Sequence, residues 1–282
     1  MSVLGLDTIT FRYPSASADA LAGVTLDVEA GETCWLYGAP GAGASTLLMV
    51  AAGLAPRFTG GSLSGQVRIL GVDPVEESTR HDLRGQVAWI GTASDIQFSQ
   101  VAETVREEIA FGPANLGQPM SRIDAAVGEA LERLGIGHLA HRSPAALSGG
   151  EQQRVVMASM LAMSPALWLL DEPDAALDSA GKEIMARVLR EEAGRGSAVV
   201  IATGDADAML GRAGRIVLLD RGTIAFDGPP RQLLADELAW SRGPGGTSVA
   251  ELARAAARLN PDPRLMAPYP LDFDEAMARW KP

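Results

Sequence analysis

The residues best suited to chemistry lie between Gly38 and Thr46, reading Gly-Ala-Pro-Gly-Ala-Gly-Ala-Ser-Thr between an apolar strand pattern and a helical one. Gly38, Gly43 and Ser45 hold the places of a G-x-x-x-x-G-K-[S/T] phosphate-binding loop, and Ala44 holds the place of its lysine. Gly38, Gly41 and Gly43 free the backbone to turn N–H groups toward an anion, and the helix that takes in Ser45 and Thr46 adds the positive end of its dipole. The missing part is an ammonium. One unit charge at about 4 Å and an effective dielectric near 20 is worth roughly 4 kcal/mol, on the order of a thousandfold in rate or affinity. Taken alone, the stretch reads equally well as a Gly/Ala-rich turn with no ligand.

Two further stretches bear on that choice. Leu147-Ser148-Gly149-Gly150-Glu151-Gln152-Gln153-Arg154 opens an apolar helix, where small residues free the backbone and Ser148 with the helix N-terminus presents donors to a phosphate. Leu167 to Leu170 is an apolar run ending in Asp171-Glu172, the pattern of a buried strand with carboxylates at its tip. Ala176-Leu177-Asp178 follows, and Phe11-x-Tyr13-Pro14 lies upstream, where a core tyrosine would look the same.

The elements that must position these residues form an α/β chain. Strands are expected over Val3 to Phe11, Val24 to Val28 and Thr33 to Tyr37, then a Gly60 to Gly65 hairpin leading into Gln66 to Leu70, and a strand at Val87 to Ile90. Helices are expected over Thr104 to Leu116 and Ser121 to Leu134, the second with Ser121 and Asp124 in capping-box spacing. From Leu167 the pattern alternates, with strands at 167–170 and 198–202, helices at 179–193 and 205–210, and a hairpin turning at Asp220-Arg221-Gly222. A Gly243-Pro244-Gly245-Gly246 linker precedes a helix capped by Ser248 and Glu251, and a last helix spans Asp272 to Trp280.

With 282 residues the chain can bury a large core, and 47% apolar and 21% charged residues are ordinary for a globular protein. The 35 acidic residues against 24 basic ones, a formal charge of -11, speak against nucleic acid as a partner. No apolar run approaches the about 20 residues that cross a bilayer. The single cysteine, Cys34, sits on the strand before the glycine-rich loop and is expected to be buried as a small apolar residue.

Together the motifs resemble those of ATP-binding cassette (ABC) transporter ATPases: the loop at 38–46, the signature at Leu147 to Arg154, a Walker B strand ending in Asp171-Glu172, a D-loop at Ala176 to Asp178 and an aromatic loop at Tyr13. The resemblance implies a P-loop NTPase core with an antiparallel β subdomain over residues 1–230, a helical subdomain inserted at about 94–163, and a C-terminal helical extension over 231–282 suited to dimerisation. It also implies ATP and Mg²⁺ as ligands, the ion held through water by Asp171 with Ser45, and Glu172 placed to polarise an attacking water. Tyr13, Gly38, Gly41, Gly43, Ala44, Ser45, Thr46 and Asp178 would contact the nucleotide, and Ser148, Gly149, Gly150 and Glu151 would act in trans in a head-to-tail dimer.

This family senses the γ-phosphate with a glutamine and a histidine, and both places are changed. Val200-Ile201-Ala202-Thr203-Gly204-Asp205 carries Gly204 in place of the histidine, and Thr92 falls at the glutamine position, with Gln97 the nearest glutamine. The chain's lysines are Lys182 and Lys281, so drift toward arginine would have favoured Arg at position 44 rather than Ala44. We therefore expect Glu172 to be idle and the chain's own site not to hydrolyse ATP.

The segment from Gln97 to Gly117 and the tail from Pro270 to Ala276 are similar to the ATPase subunits of energy-coupling-factor (ECF) transporters, which import vitamins and metal ions. That similarity implies a second, non-identical ATPase subunit, a transmembrane scaffold protein and a membrane substrate-binding protein as partners, at the cytoplasmic face of the cell membrane. The alternatives are a scaffold subunit that binds no nucleotide and a soluble ABC ATPase outside transport.

Overall fold

The computed structural model describes residues 2–91, 97–209, 213–236, 240, 242, 243, 245–259, 262–265 and 267–280. In chain order the strands and helices are β1 (Ser2–Arg12), β2 (Leu21–Glu29), β3 (Thr33–Gly38), α1 (Ala44–Ala51), β4 (Ser62–Ile69) and β5 (Val87–Ile90). There follow α2 (Val105–Asn115), α3 (Met120–Arg133), α4 (Gly149–Leu161), β6 (Leu167–Asp171), α5 (Ser179–Gly194), β7 (Ala198–Thr203) and α6 (Ala206–Met209). The chain closes with β8 (Arg215–Asp220), β9 (Thr223–Gly228), α7 (Pro230–Ala235), α8 (Ser248–Leu259) and α9 (Phe273–Trp280).

Two sheets result, an antiparallel one in the order β2-β1-β4 and a six-stranded mixed one in the order β5-β6-β7-β3-β8-β9. In the larger sheet β5, β6, β7, β3 and β8 run parallel, and β9 is an antiparallel edge. Every residue of β6 and β7 is buried, as expected of parallel strands covered on both faces. Successive side chains of a strand take opposite faces, and the cores divide accordingly. Leu167, Leu169, Val200 and Leu36 pack with α1 and the antiparallel sheet, whereas Trp168, Leu170, Val199 and Ile201 pack with α2, α3, α4 and α5. Cys34 is buried on the first face, and burial pushes its thiol up to about 12, which makes it an inert packing residue.

Charged networks tie the layers. The Arg133 guanidinium of α3 is paired with Glu192 at 2.8 Å and Glu191 at 2.8 Å on α5, joining the helical layer to the sheet core. Arg215 of β8 binds Asp227 at 2.7 Å, Glu32 at 2.9 Å and the Asp27 carbonyl at 2.8 Å.

The C-terminal segment is not a detached appendage. Leu233, Leu234, Trp240 and Ala250 share a buried cluster with Tyr37, Ile216 and Leu218, and the Tyr37 hydroxyl donates to the Gly245 carbonyl at 2.6 Å.

Two expected caps are absent. Pro119 is the N-cap of α3 with no side-chain cap bond, and Asp124 is taken by Arg106 of α2 at 2.8 Å, an ion pair that outcompetes a local cap. At α8 the Thr247 hydroxyl accepts from Ala250 N–H at 3.0 Å, while Ser248 bonds Asp207 and Glu251 accepts from Trp240 and Gly246. Of the helix expected over 205–210, the described part is Ala206–Met209, and α4 ends at Leu161.

Candidate functional site

β3, β6 and β7 run parallel, so Gly38, Asp171 and Thr203 end at the same edge of the sheet, where open α/β sheets hold their ligands. A cavity of about 500 Å³ opens there, between Gly38–Thr46, Tyr13, Asp171, Glu172, Thr203 and Gly204. The loop folds as the glycine spacing requires. A Cβ at Gly38 would lie 2.9 Å from the Leu219 carbonyl oxygen, and Gly43, at φ 110, is the left-handed N-cap of α1 and leaves 2.8 Å to the Ala20 carbonyl oxygen. Gly43 brings no side-chain cap, so the N–H groups of Ala44, Ser45 and Thr46 meet no acceptor among the described residues. This is a backbone-made anion cradle.

The side chains around it tell a different story. Among the described residues lining the cavity there is no lysine, arginine or histidine, and there are two carboxylates. Burial pushes the Asp171 carboxyl up from its ordinary range, against a hydrogen bond from Ser45 that pulls it down. A hydroxyl and a carboxylate in contact at the mouth of the cradle are oxygen donors of the kind Mg²⁺ takes while keeping several waters, so the residues fit that ion.

Glu172 sits at φ 48, a left-handed conformation that costs a non-glycine residue roughly 1–2 kcal/mol. The strained turn aims its carboxylate across β7, where Oε1 accepts from the Gly204 N–H at 2.9 Å and Oε2 from the Thr203 hydroxyl at 3.3 Å. Thr203 is a site residue that no motif spacing marks; its one sequence signal is a polar residue ending an otherwise apolar, wholly buried strand. Gly204 leaves room for a side chain, the nearest atom to an added Cβ being Glu172 Oε1 at 3.8 Å.

Tyr13 lines the cavity with its hydroxyl 3.1 Å from that of Thr46 and its ring edge-to-face on Phe11. Gln97 does not line it: the side-chain amide is spent on the end of β5, accepting from Gly91 N–H at 3.3 Å and donating to the Trp89 carbonyl at 3.2 Å. Thr92 lies outside the described residues. Asp178 is also elsewhere, as the N-cap of α5 accepting from Gly181 N–H at 2.7 Å.

The signature residues do not line this cavity either; they form the exposed start of α4. Ser148 and Glu151 make a complete capping box, in which the Ser148 N–H and hydroxyl donate to Glu151 Oε2 at 2.8 and 2.9 Å and Ser148 Oγ accepts from Glu151 N–H at 3.4 Å. These bonds hold the Glu151 carboxyl below its ordinary range. They engage within the chain the Ser148 hydroxyl expected to present a donor to a phosphate. The N–H groups of Gly149 and Gly150 remain without an acceptor among the described residues. Gly150 packs on the turn after β6, with an added Cβ 3.0 Å from the Ala176 carbonyl oxygen, whereas Gly149 meets nothing nearer than Ala176 Cβ at 3.9 Å.

Residues 21–175, more than half of the chain, match the family described as ABC transporter. The chain belongs to the ABC transporter family. An energy-coupling factor transporter ATP-binding protein EcfA1 from Symbiobacterium thermophilum is 39% identical over 80% of this chain and 79% of its own length. An EcfA2 protein from Methanospirillum hungatei is 34% identical over 83% of this chain. The chain spans 57% of that second relative and 38% of a putative ABC transporter ATP-binding protein from Methanosarcina acetivorans. Among solved structures, cbiO1 from Clostridium perfringens, described as part of the ABC transporter complex cbiONQ, superposes with a TM-score of 0.73 at 26% identity, over 92% of this chain and 96% of that one. This ABC chain thus shares its α/β architecture with known cassettes, and no described helix is long and apolar enough to cross a membrane.

Proposed function

We propose that this chain is the hydrolysis-deficient ATP-binding subunit of an ECF-type importer, paired with a non-identical ATPase whose active site it completes. The observation that carries the reading is the contrast between a cradle with free amides but no lining cation and an exposed helix start whose Gly149 and Gly150 amides lie outside that cradle. In one chain those amides serve nothing; in a head-to-tail pair they meet the partner's nucleotide.

In the chain's own cavity, the Ala44–Thr46 amides would receive the phosphates, Ser45 and Asp171 would hold Mg²⁺, and Tyr13 would lie against the base. Mg²⁺ would screen phosphate charge there. Glu172, bound to Thr203 and Gly204, would stay idle. Asp178 would reach a nucleotide only across the dimer. The exposed Leu252, Leu259, Phe273 and Met277 of α8 and α9 support a C-terminal contact between subunits. A transmembrane scaffold and a membrane substrate-binding protein would complete the assembly at the cytoplasmic face, consistent with the names of the relatives.

The test is turnover of the reconstituted pair. Glu172→Gln, which keeps an oxygen for Gly204 N–H, should leave ATP hydrolysis within about twofold. Gly149→Asp, placed in open space at a helix start that favours a carboxylate, should fold and cut hydrolysis by roughly a hundredfold through repulsion of the partner's phosphates. A large loss from Glu172→Gln would overturn the asymmetric assignment. Two carboxylates without a cation also suit a scaffold that binds no nucleotide. Failure of ATP to bind the isolated chain, with Mg²⁺ present, would establish that second reading.

A further inference from the structure

A cavity of about 270 Å³ that the nucleotide reading leaves unused lies between α5 and the paired strands β3 and β7. Trp35 and Ile201 are partners across those strands and therefore stand on one face of the sheet. Met185 and Leu189 face them from α5 one helical turn apart, both buried, so the walls are apolar and partly aromatic.

Lys182 and Arg190 line the same cavity from the same helix. Lys182 is paired with Asp174 at 3.0 Å. Arg190 is not paired: its Nε donates to the Ala186 carbonyl at 3.2 Å, and its terminal nitrogens meet no carboxylate among the described residues. The Trp35 indole N–H is buried without an acceptor among the described residues.

An apolar pocket with an uncommitted guanidinium at its edge suits one ligand chemistry. A flat apolar body would lie against the indole and the Met185 thioether, and a carboxylate would take the guanidinium in a bidentate pair. We infer that this cavity binds a small aromatic carboxylate and that its occupation acts on the turn from Pro173 to Asp178.

The second half follows from what else lines the cavity. Pro173 and Asp174 line it and directly follow Glu172. Asp174 anchors the turn through its carbonyl, which accepts from Leu177 N–H at 3.0 Å, and that turn presents the Ala176 carbonyl to Gly150 of the signature helix. The apolar body of a ligand held by Arg190 would press on Pro173 and so shift the turn that Asp174 anchors. The ligand would therefore act between the chain's own cradle and the surface it offers a partner.

The experiment is titration of the full chain with phenylacetate, followed by calorimetry and ligand-observed NMR, with the uncharged phenylacetamide as control. Phenylacetate should bind at one saturable site about tenfold tighter than phenylacetamide. Arg190→Gln, an exposed change, should erase that preference, and Ala186→Phe, filling the cavity from a partly exposed helix position, should abolish binding of both. With a partner ATPase present, saturating phenylacetate should change turnover at least about twofold in the native chain and leave the Ala186→Phe pair unaffected. No saturable binding up to about 10 mM, equal affinity for the two compounds, or binding that survives Ala186→Phe would overturn the site. Binding without any change in turnover would overturn its action on the turn.

Discussion

The chain has two helix starts with open backbone amides, α1 after Gly43 and α4 after Ser148, and they differ in what holds them. α1 begins with a left-handed glycine, no side-chain cap, three open amides and two carboxylates across the cavity. α4 begins with a full capping box and two open amides at the protein surface. The comparison separates two sources of phosphate affinity. Backbone donors come with the fold and persist when side chains change, whereas Ala44 and Gly204 bring no charged or hydrogen-bonding side chain to the cavity they line. At α1 the open amides face a cavity with no lining cation among the described residues; at α4 they stand at the protein surface beside a complete capping box.

This contrast can be broken most sharply by restoring the missing charge. Ala44→Lys should raise ATP affinity of the isolated chain by roughly a hundredfold to a thousandfold, measured by calorimetry with Mg²⁺; a gain below about fivefold would mean the cradle is not set for a nucleotide. Next in size is the roughly hundredfold loss of paired turnover expected from Gly149→Asp, with ATP binding to the chain's own cavity unchanged. Ser148→Ala acts on α4 alone: losing the cap should cost about 1 kcal/mol and lower the melting temperature by about 2–4 °C, with no effect on nucleotide affinity at α1.

The smallest effect concerns Asp171. Its carboxyl is held above its ordinary range in the folded chain, so the protonated form favours folding and that contribution is lost as pH rises through the raised value. Asp171→Asn should therefore melt about 2 °C higher than the native chain at neutral pH without nucleotide, and the difference should vanish as pH falls into the carboxylate range. A native chain that melts higher than Asp171→Asn at neutral pH would show that burial does not control this carboxylate.

Local sequence was enough for whatever local geometry decides. The glycine spacing at 38–43, the signature turn at 148–151 and the buried runs of β6 and β7 each depend on residues a few positions apart, so their form and the α/β class were legible directly. The substitutions at Ala44 and Gly204 were equally plain. Competition between distant partners was not. Ser121–Asp124 and Ser248–Glu251 have capping-box spacing, yet Arg106 and Trp240 claim the carboxylates, because a charged or aromatic partner brought by packing offers a stronger or drier bond than the local amide. Gln97 is near the sensing position in sequence, but the end of β5 absorbs its amide. Only the tertiary structure showed that Glu172 is strapped to Thr203 and Gly204 and that α5 leaves a cavity against Trp35 and Ile201. Each is a matter of which groups meet once strands far apart in the chain are laid side by side, and no spacing along the chain encodes it.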